Sequence, residues 1–241
     1  MKTFAIPYFT DERLNYTADY LKNNGFEYVE SVDNADFIIL PIPAKEYMFK
    51  GLENKTVFYG AGNYKGIDYG KDECFMLENA YLTAEGAVAL YKENSESSLY
   101  GSRVLITGYG RIAKALHRIL KSMGADVTIC VRSDIARIEA LHNGANLITF
   151  EDLKYKKDFD TIFNTVPHII FTKNELDGLK RNTLLIDLAS FPGGVDTLIA
   201  KSKGINLIDG RKLPSKYSKI TAGVLIGKTI EKIIKEDFSW I

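Results

Sequence analysis

What this 241-residue chain lacks narrows its function first. It has no net charge, 31 Lys and Arg standing against 31 Asp and Glu, so no global field draws it to nucleic acid or to an anionic membrane. A small anionic substrate is still open to it, because that needs only a local group of cations. Cysteine is scarce: Cys74 and Cys130 lie far apart with no metal-ligand spacing. Both are expected to be buried, reduced thiols rather than parts of a disulfide or metal framework. No apolar run approaches the roughly 20 residues of a membrane span. The start, Met1 to Pro7, is too short and too soon polar for a signal peptide. Internal repeats and low-complexity tracts are absent. A cytoplasmic globular protein is expected, with an ordinary 46% of hydrophobic residues.

The chain reads as α/β: a doubly wound Rossmann domain preceded by a smaller α/β domain. Residues 1–82 alternate short strand-like and helix-like pieces. Phe4–Ile6, Glu27–Ser31, Asp36–Pro41 and Thr56–Tyr59 are the strands, and Phe37-Ile38-Ile39-Leu40 has the unbroken apolar character of a buried parallel strand. Arg13–Asn23 has helical spacing after the polar Thr10-Asp11 pair. A connecting helix is expected from Thr83, as N-cap, to Glu93. The polar run Asn94-Ser95-Glu96-Ser97-Ser98 closes it, so that 83–97 is helix and linker. The second domain then covers 98–220. The remainder, 221–241, is expected to be an amphipathic helix (Ala222–Asp237) returning to the first domain.

The strand Arg103–Thr107 runs into Gly108-Tyr109-Gly110-Arg111-Ile112-Ala113 and a helix to Met123. This is the pattern G-x-G-x-x-[G/A] between a strand and a helix, the setting in which it binds dinucleotides. Gly108 allows the tight turn, Gly110 removes a side chain from the path of a pyrophosphate, and Ala113 lets the helix pack close to the sheet. Free N–H groups and the helix dipole favour the anion. The second strand, Ala125–Val131, ends in Arg132-Ser133, where NAD enzymes usually carry Asp or Glu for the ribose 2′-hydroxyl. Arg and Ser suit a 2′-phosphate, so NADP is preferred, with NAD the alternative that Asp134 keeps open. Later strands end in Asn164-Thr165-Val166-Pro167 and in Asp187-Leu188-Ala189-Ser190, followed by Pro192-Gly193-Gly194. These loops are expected to flank the nicotinamide and its ribose; the alternative is that Asn164 and Asp187 merely cap the following helices.

Taken in order, these segments resemble the A subunits of dipicolinate synthase. The resemblance rests on Thr83-Ala84-Glu85-Gly86, Gly101-Ser102, Gly108-Tyr109-Gly110-Arg111, Arg132-Ser133, Asn164-Thr165-Val166-Pro167, Asp187-Leu188-Ala189-Ser190 with Pro192-Gly193-Gly194, and Thr221-Ala222-Gly223. Asp11-Glu12-Arg13 fits the family's Asp-x-Arg. The chain departs from the family at Phe9 and Thr10, where glycines are usual, and at Ile220, where a lysine is common and Lys219 stands one residue early. Its first domain also looks shortened. The resemblance implies NADP-dependent oxidation of a dihydrodipicolinate-type ring to dipicolinate in the mother-cell cytoplasm of a sporulating bacterium. It further implies a small dicarboxylate substrate and a second, flavoprotein-like subunit; a homo-oligomer is possible. Candidate substrate contacts facing an interdomain cleft are Arg13, Thr83 and the backbone at Gly86 and Gly193. Glu85 is either a general base or a solvated helix residue. A cofactor-binding scaffold inactive alone is the rival of a different class.

Two further patterns are set aside. Ala222–Thr229 matches a permissive phosphate-binding loop, but Val224-Leu225-Ile226 continues an apolar helix face and no later strand follows to supply a magnesium-binding Asp. A 2-hydroxy acid dehydrogenase would need a His–carboxylate pair and a substrate Arg. His117, His142 and His168 have no evident carboxylate partner, and no Arg follows Asp187 in its loop.

Overall fold

The computed structural model describes residues 1–236. It divides into two units: Met1–Leu82 with the chain from Pro214 onward, and Thr83–Leu213.

The first unit begins with β1 (Thr3–Ala5), α1 (Arg13–Asn23), β2 (Glu27–Tyr28), β3 (Phe37–Ile39), β4 (Thr56–Tyr59) and β5 (Ile67–Asp68). Its sheet has the order β2-β1-β3-β4-β5, every pairing parallel. Both faces of such a sheet are covered, which is why β3 is apolar at every position. Phe37 and Ile39 pack with Phe4, Leu14 and Phe58 on one face. Ile38 packs with Val57, Tyr59 and Met48 on the other.

The next helix, α2 (Glu73–Asn94), starts well before the expected Thr83. Asp72 caps it, its Oδ1 accepting from the Phe75 N–H at 2.9 Å. Thr83 is therefore a buried mid-helix residue. Cys74 lies in the exposed first turn of this helix rather than in a core; Cys130 is buried as expected, and burial pushes its thiol up to about 12. The units part at Thr83, inside α2, and not at the polar run 94–98. The buried residues Ala84, Ala87, Leu90 and Tyr91 go with the second unit, so the hydrophobic face changes allegiance while the backbone stays helical.

The second unit contains β6 (Arg103–Thr107), α3 (Arg111–Ser122), β7 (Asp126–Cys130), α4 (Asp134–His142), β8 (Asn146–Ile148), β9 (Thr161–Asn164), α5 (Lys173–Leu176), β10 (Leu184–Asp187), α6 (Thr197–Ser202) and β11 (Asn206–Asp209). All six strands are parallel in the order β11-β10-β9-β6-β7-β8. Counted from β6 this is 3-2-1-4-5-6 read from the β8 edge, the doubly wound Rossmann order, and the strand order reverses between β6 and β9.

After α7 (Leu213–Tyr217) the chain rejoins the first unit as α8 (Lys219–Glu236); Asp237–Ile241 of the expected C-terminal segment lie outside the described residues. Leu225, Ile226, Ile230 and Ile234 enter the first unit's core. A Cβ on Gly223 would come within 2.3 Å of the Arg13 carbonyl oxygen, and one on Gly227 within 2.6 Å of the Tyr20 ring. Both glycines of the phosphate-loop look-alike thus serve close packing of α8 on α1.

Candidate dinucleotide site

The two glycines of the turn after β6 are glycine for different reasons. Gly108 has φ +85°, and a Cβ there would meet Thr165 Oγ1 at 2.7 Å, so both its conformation and its surroundings exclude a side chain. Its N–H donates to the Cys130 carbonyl at 2.8 Å. Gly110 has φ −79° and ψ −168°, an extended conformation open to any residue. A Cβ on it would meet nothing within 4 Å. Nothing inside the chain requires glycine at 110, and the space in front of it is empty. Gly110 is also the N-cap of α3 and offers no side-chain cap. The first N–H groups of that helix therefore lack intrahelical partners and face this opening with the positive end of the helix dipole. Arg111 and Ile112 open the helix, and Ala113, wholly buried, seats it on the sheet. The chemistry and the room fit a dinucleotide pyrophosphate.

Tyr109 takes a different part from the one its place in the motif suggests. Its side chain is only 7% exposed. The hydroxyl lies 3.0 Å from His117 Nδ1 on α3 and is pushed up in pKa by burial. Only the backbone of Tyr109 can serve a nucleotide.

At the end of β7, Arg132, Ser133 and Asp134 are exposed. Arg132 makes no hydrogen bond or ion pair with any described residue. Ser133 is the N-cap of α4, yet its hydroxyl makes no capping bond. A cation and a hydroxyl thus stand unengaged where an adenosine ribose is held in this fold.

Asn164 and Asp187, expected beside the nicotinamide, are turned onto the protein itself. Asn164 is 0% exposed. Its Oδ1 accepts from Thr107 Oγ1 at 2.6 Å and from the Val166 N–H at 3.1 Å. Its Nδ2 donates to Asp187 Oδ1 at 2.7 Å and to the Val166 carbonyl at 3.1 Å. Asp187 Oδ1 also accepts from the Ala189 N–H, and Oδ2 from the Gly194 N–H at 2.9 Å. The hydroxyl of Thr165 donates to the Thr107 carbonyl at 2.7 Å. A buried amide with this many partners has no capacity left for a ligand. Its role is to bind the ends of β6, β9 and β10 at the strand-order reversal. Pro167 and His168 lie beyond it, exposed.

The expected substrate residues are modified similarly. In the first unit, Arg13 is buried and its guanidinium grips Asp11, with Nε 2.9 Å from Oδ1 and Nη2 2.6 Å from Oδ2. It also donates to the Ile42 carbonyl at 3.0 Å, so it is a neutralised structural cation rather than a free one. In the second unit, Gly86 is inside α2, where its N–H belongs to the helical ladder. The Gly193 N–H closes a turn to the Ser190 carbonyl at 2.8 Å. Glu85 is exposed on α2. Two cations that the sequence pattern did not single out stand directly after β11. Arg211 is held by Asp209, and Lys212, exposed and with no hydrogen bond or ion pair among the described residues, has a left-handed φ of +61°. Their signal was the basic pair after the apolar-centred run Asn206-Leu207-Ile208-Asp209, a strand left unassigned. Among the described residues no histidine pairs with a carboxylate, no group of three or more His, Cys, Asp or Glu is placed to hold a metal, and no helix is long and apolar enough to cross a membrane.

Residues 77–190 match the family model of the D-isomer specific 2-hydroxyacid dehydrogenase NAD-binding domain. The chain is 29% identical over 201 residues to the dipicolinate synthase A subunit of Bacillus subtilis, the match covering 80% of this chain and 66%, just under two thirds, of that one. The crystal structure of the dipicolinate synthase A subunit from Bacillus halodurans superposes with a TM-score of 0.86 at 22% identity, over 98% of each chain. Salmonella D-lactate dehydrogenase is more distant, with a TM-score of 0.64 at 12% identity, over 97% of this chain and 96% of that one. An NAD(P)-binding Rossmann domain is present, in an oxidoreductase-like fold.

Proposed function

We propose that this chain, which sequence and fold together identify as a relative of the dipicolinate synthase A subunits, is an NADP-dependent oxidoreductase that converts a dihydrodipicolinate-type ring to dipicolinate. The observation that carries the dinucleotide reading is Gly110. It is a glycine with ordinary backbone angles and empty space beside it, at the uncapped start of α3. A residue so unneeded by the fold points to a ligand that requires its smallness. Arg132 and Ser133 support the phosphorylated cofactor, since an unpaired guanidinium and hydroxyl match a 2′-phosphate.

In this reading α3 and Gly110 receive the pyrophosphate, and Arg132 with Ser133 holds the 2′-phosphate. The bonded ends of β6, β9 and β10 give a rigid floor. The nicotinamide, when bound, supplies the hydride acceptor. The ring loses a hydride, and a proton leaves a neighbouring ring atom, for which Glu85 is the proposed acceptor. Aromatisation supplies driving force, so the protein's main task is to position the two rings. Arg211 and Lys212 are the proposed cations for the substrate carboxylates, in place of Arg13. A second, flavoprotein-like subunit completing the enzyme is part of the proposal, and so is a cytoplasmic location in a sporulating cell.

Calorimetric titration with NADP⁺ and NAD⁺ tests the reading, on the unaltered chain and on Arg132→Ala. NADP⁺ is expected to bind tightly and to lose about tenfold or more in the variant, as for a charge-assisted bond, while NAD⁺ is little changed. Folded protein that takes up neither nucleotide would overturn the oxidoreductase reading and leave a scaffold that holds no cofactor. NADPH formation from the dihydro substrate, with and without a second subunit, then tests the reaction.

A further inference from the structure

The fingerprint helix carries a buried histidine that the proposed reaction does not use. His117 is 1% exposed, and its Nδ1 lies 3.0 Å from the Tyr109 hydroxyl. Whichever ring nitrogen carries the hydrogen, Nε2 is a buried atom with no hydrogen-bond partner among the described residues. An unpaired buried polar nitrogen works against folding, and a leucine of similar reach would not carry that cost. The histidine is thus held at some expense to the fold, eight residues on from Tyr109, the residue at the centre of the glycine turn.

We propose that His117 is a positioning residue for the dinucleotide: through Tyr109 it fixes the backbone of Gly108, Tyr109 and Gly110 in the orientation that receives the pyrophosphate. This inference rests on the dinucleotide reading and names the device that sets the same site. Tyr109 is the only residue between the two glycines, and glycines are the least constrained points of a chain. Tying its side chain to α3 removes the freedom the flanking glycines would otherwise leave. The loop is thereby held ready before ligand arrives, and preorganisation of this kind raises affinity without adding a contact.

The test uses Tyr109→Phe, His117→Leu and the double variant of the full chain. Each is titrated with the dinucleotide and with adenosine 2′-phosphate, which lacks the pyrophosphate. Each single variant is expected to weaken dinucleotide binding about fivefold to tenfold, the scale of one lost buried hydrogen bond. The double variant should lose no more than the larger single, because both break one link. Binding of adenosine 2′-phosphate should be unchanged, and the urea midpoint of His117→Leu should be equal or higher. Undiminished dinucleotide binding in both single variants would overturn the proposal, as would an equal loss for dinucleotide and fragment. Failure of the unaltered chain to bind either dinucleotide would instead overturn the dinucleotide reading, and this inference with it.

Discussion

Thr107 and Asn164 meet at 2.6 Å, hydroxyl to amide oxygen, across the gap where the strand order of the second unit reverses. They are the last residues of β6 and β9 and stand opposite one another in register. A doubly wound sheet opens at this point because its crossovers leave in opposite directions. Here side chains join the opening and extend through Asp187 to the end of β10.

Replacing Asn164 with Leu is therefore expected to destabilise the second unit by about 2–4 kcal/mol, since it strips buried partners from Thr107, Val166 and Asp187 at once. Asn164→Asp separates charge from shape. A second carboxylate beside Asp187 raises the pKa of one of the two, so its destabilisation should be large near neutrality and shrink as the pH falls. Urea unfolding at several pH values measures both.

The two glycines of the fingerprint should behave oppositely. Gly110→Ala is expected to cost no more than about 1 kcal/mol of stability, the N-cap preference for glycine over alanine, because its angles and surroundings accept a methyl group, and to weaken dinucleotide binding more than tenfold. Gly108→Ala adds a side chain at φ +85° against Thr165 and should cost about 1–3 kcal/mol of stability as well. Calorimetric binding paired with thermal melts separates the two.

How much of this could be read from the residues depended on length and redundancy. β4 and β6 and helix α1 are found at the bounds their patterns give, because each carries several apolar residues at one clear period with polar residues at the ends. β5 and β8, two and three residues long, are too short to show any period in the sequence. The true start of α2 was hidden because its opening residues are apolar on more than one face, with Leu77 and Tyr81 exposed and Phe75 buried. At the candidate site the motif marked the backbone elements correctly. It could not say whether Asn164, Asp187 and Arg13 faced a ligand or one another, since that depends on strands and turns distant in sequence.

The packing of α8 on α1 gives a stability prediction that reverses the usual helix rule. Gly to Ala in a helix interior ordinarily stabilises by about 1 kcal/mol. Gly223→Ala should instead destabilise the first unit by about 2 kcal/mol or more, since the methyl would enter the space of the Arg13 carbonyl. It would also disturb the bond from Thr17 Oγ1 to the Gly223 carbonyl at 2.9 Å. Gly223→Ala measured beside Ala222→Gly checks the contrast.

Acidification should act through His117. Burial, with the charges of Lys121 and Arg118, lowers its folded-state pKa below the ordinary value, near 6.5. In the unfolded chain the group takes up a proton first. Its contribution to stability is therefore intact above pH 6.5 and is lost progressively as the pH falls below that value. The slope of stability against pH over this window should flatten in His117→Leu, as read by urea unfolding from pH 8 to pH 5.

The first unit is assembled from two stretches of chain that lie far apart in sequence, with the whole of the second unit threaded between them. During synthesis, residues 83–213 have all their core partners once they have left the ribosome. The opening 82 residues do not, because Leu225, Ile226, Ile230 and Ile234 are made only after the second unit. Domains fold as units while they emerge. The nucleotide-type domain is thus free to mature first, while the earlier-made α/β layer waits with an uncovered apolar flank, vulnerable to chaperones and proteases, until α8 arrives to close it.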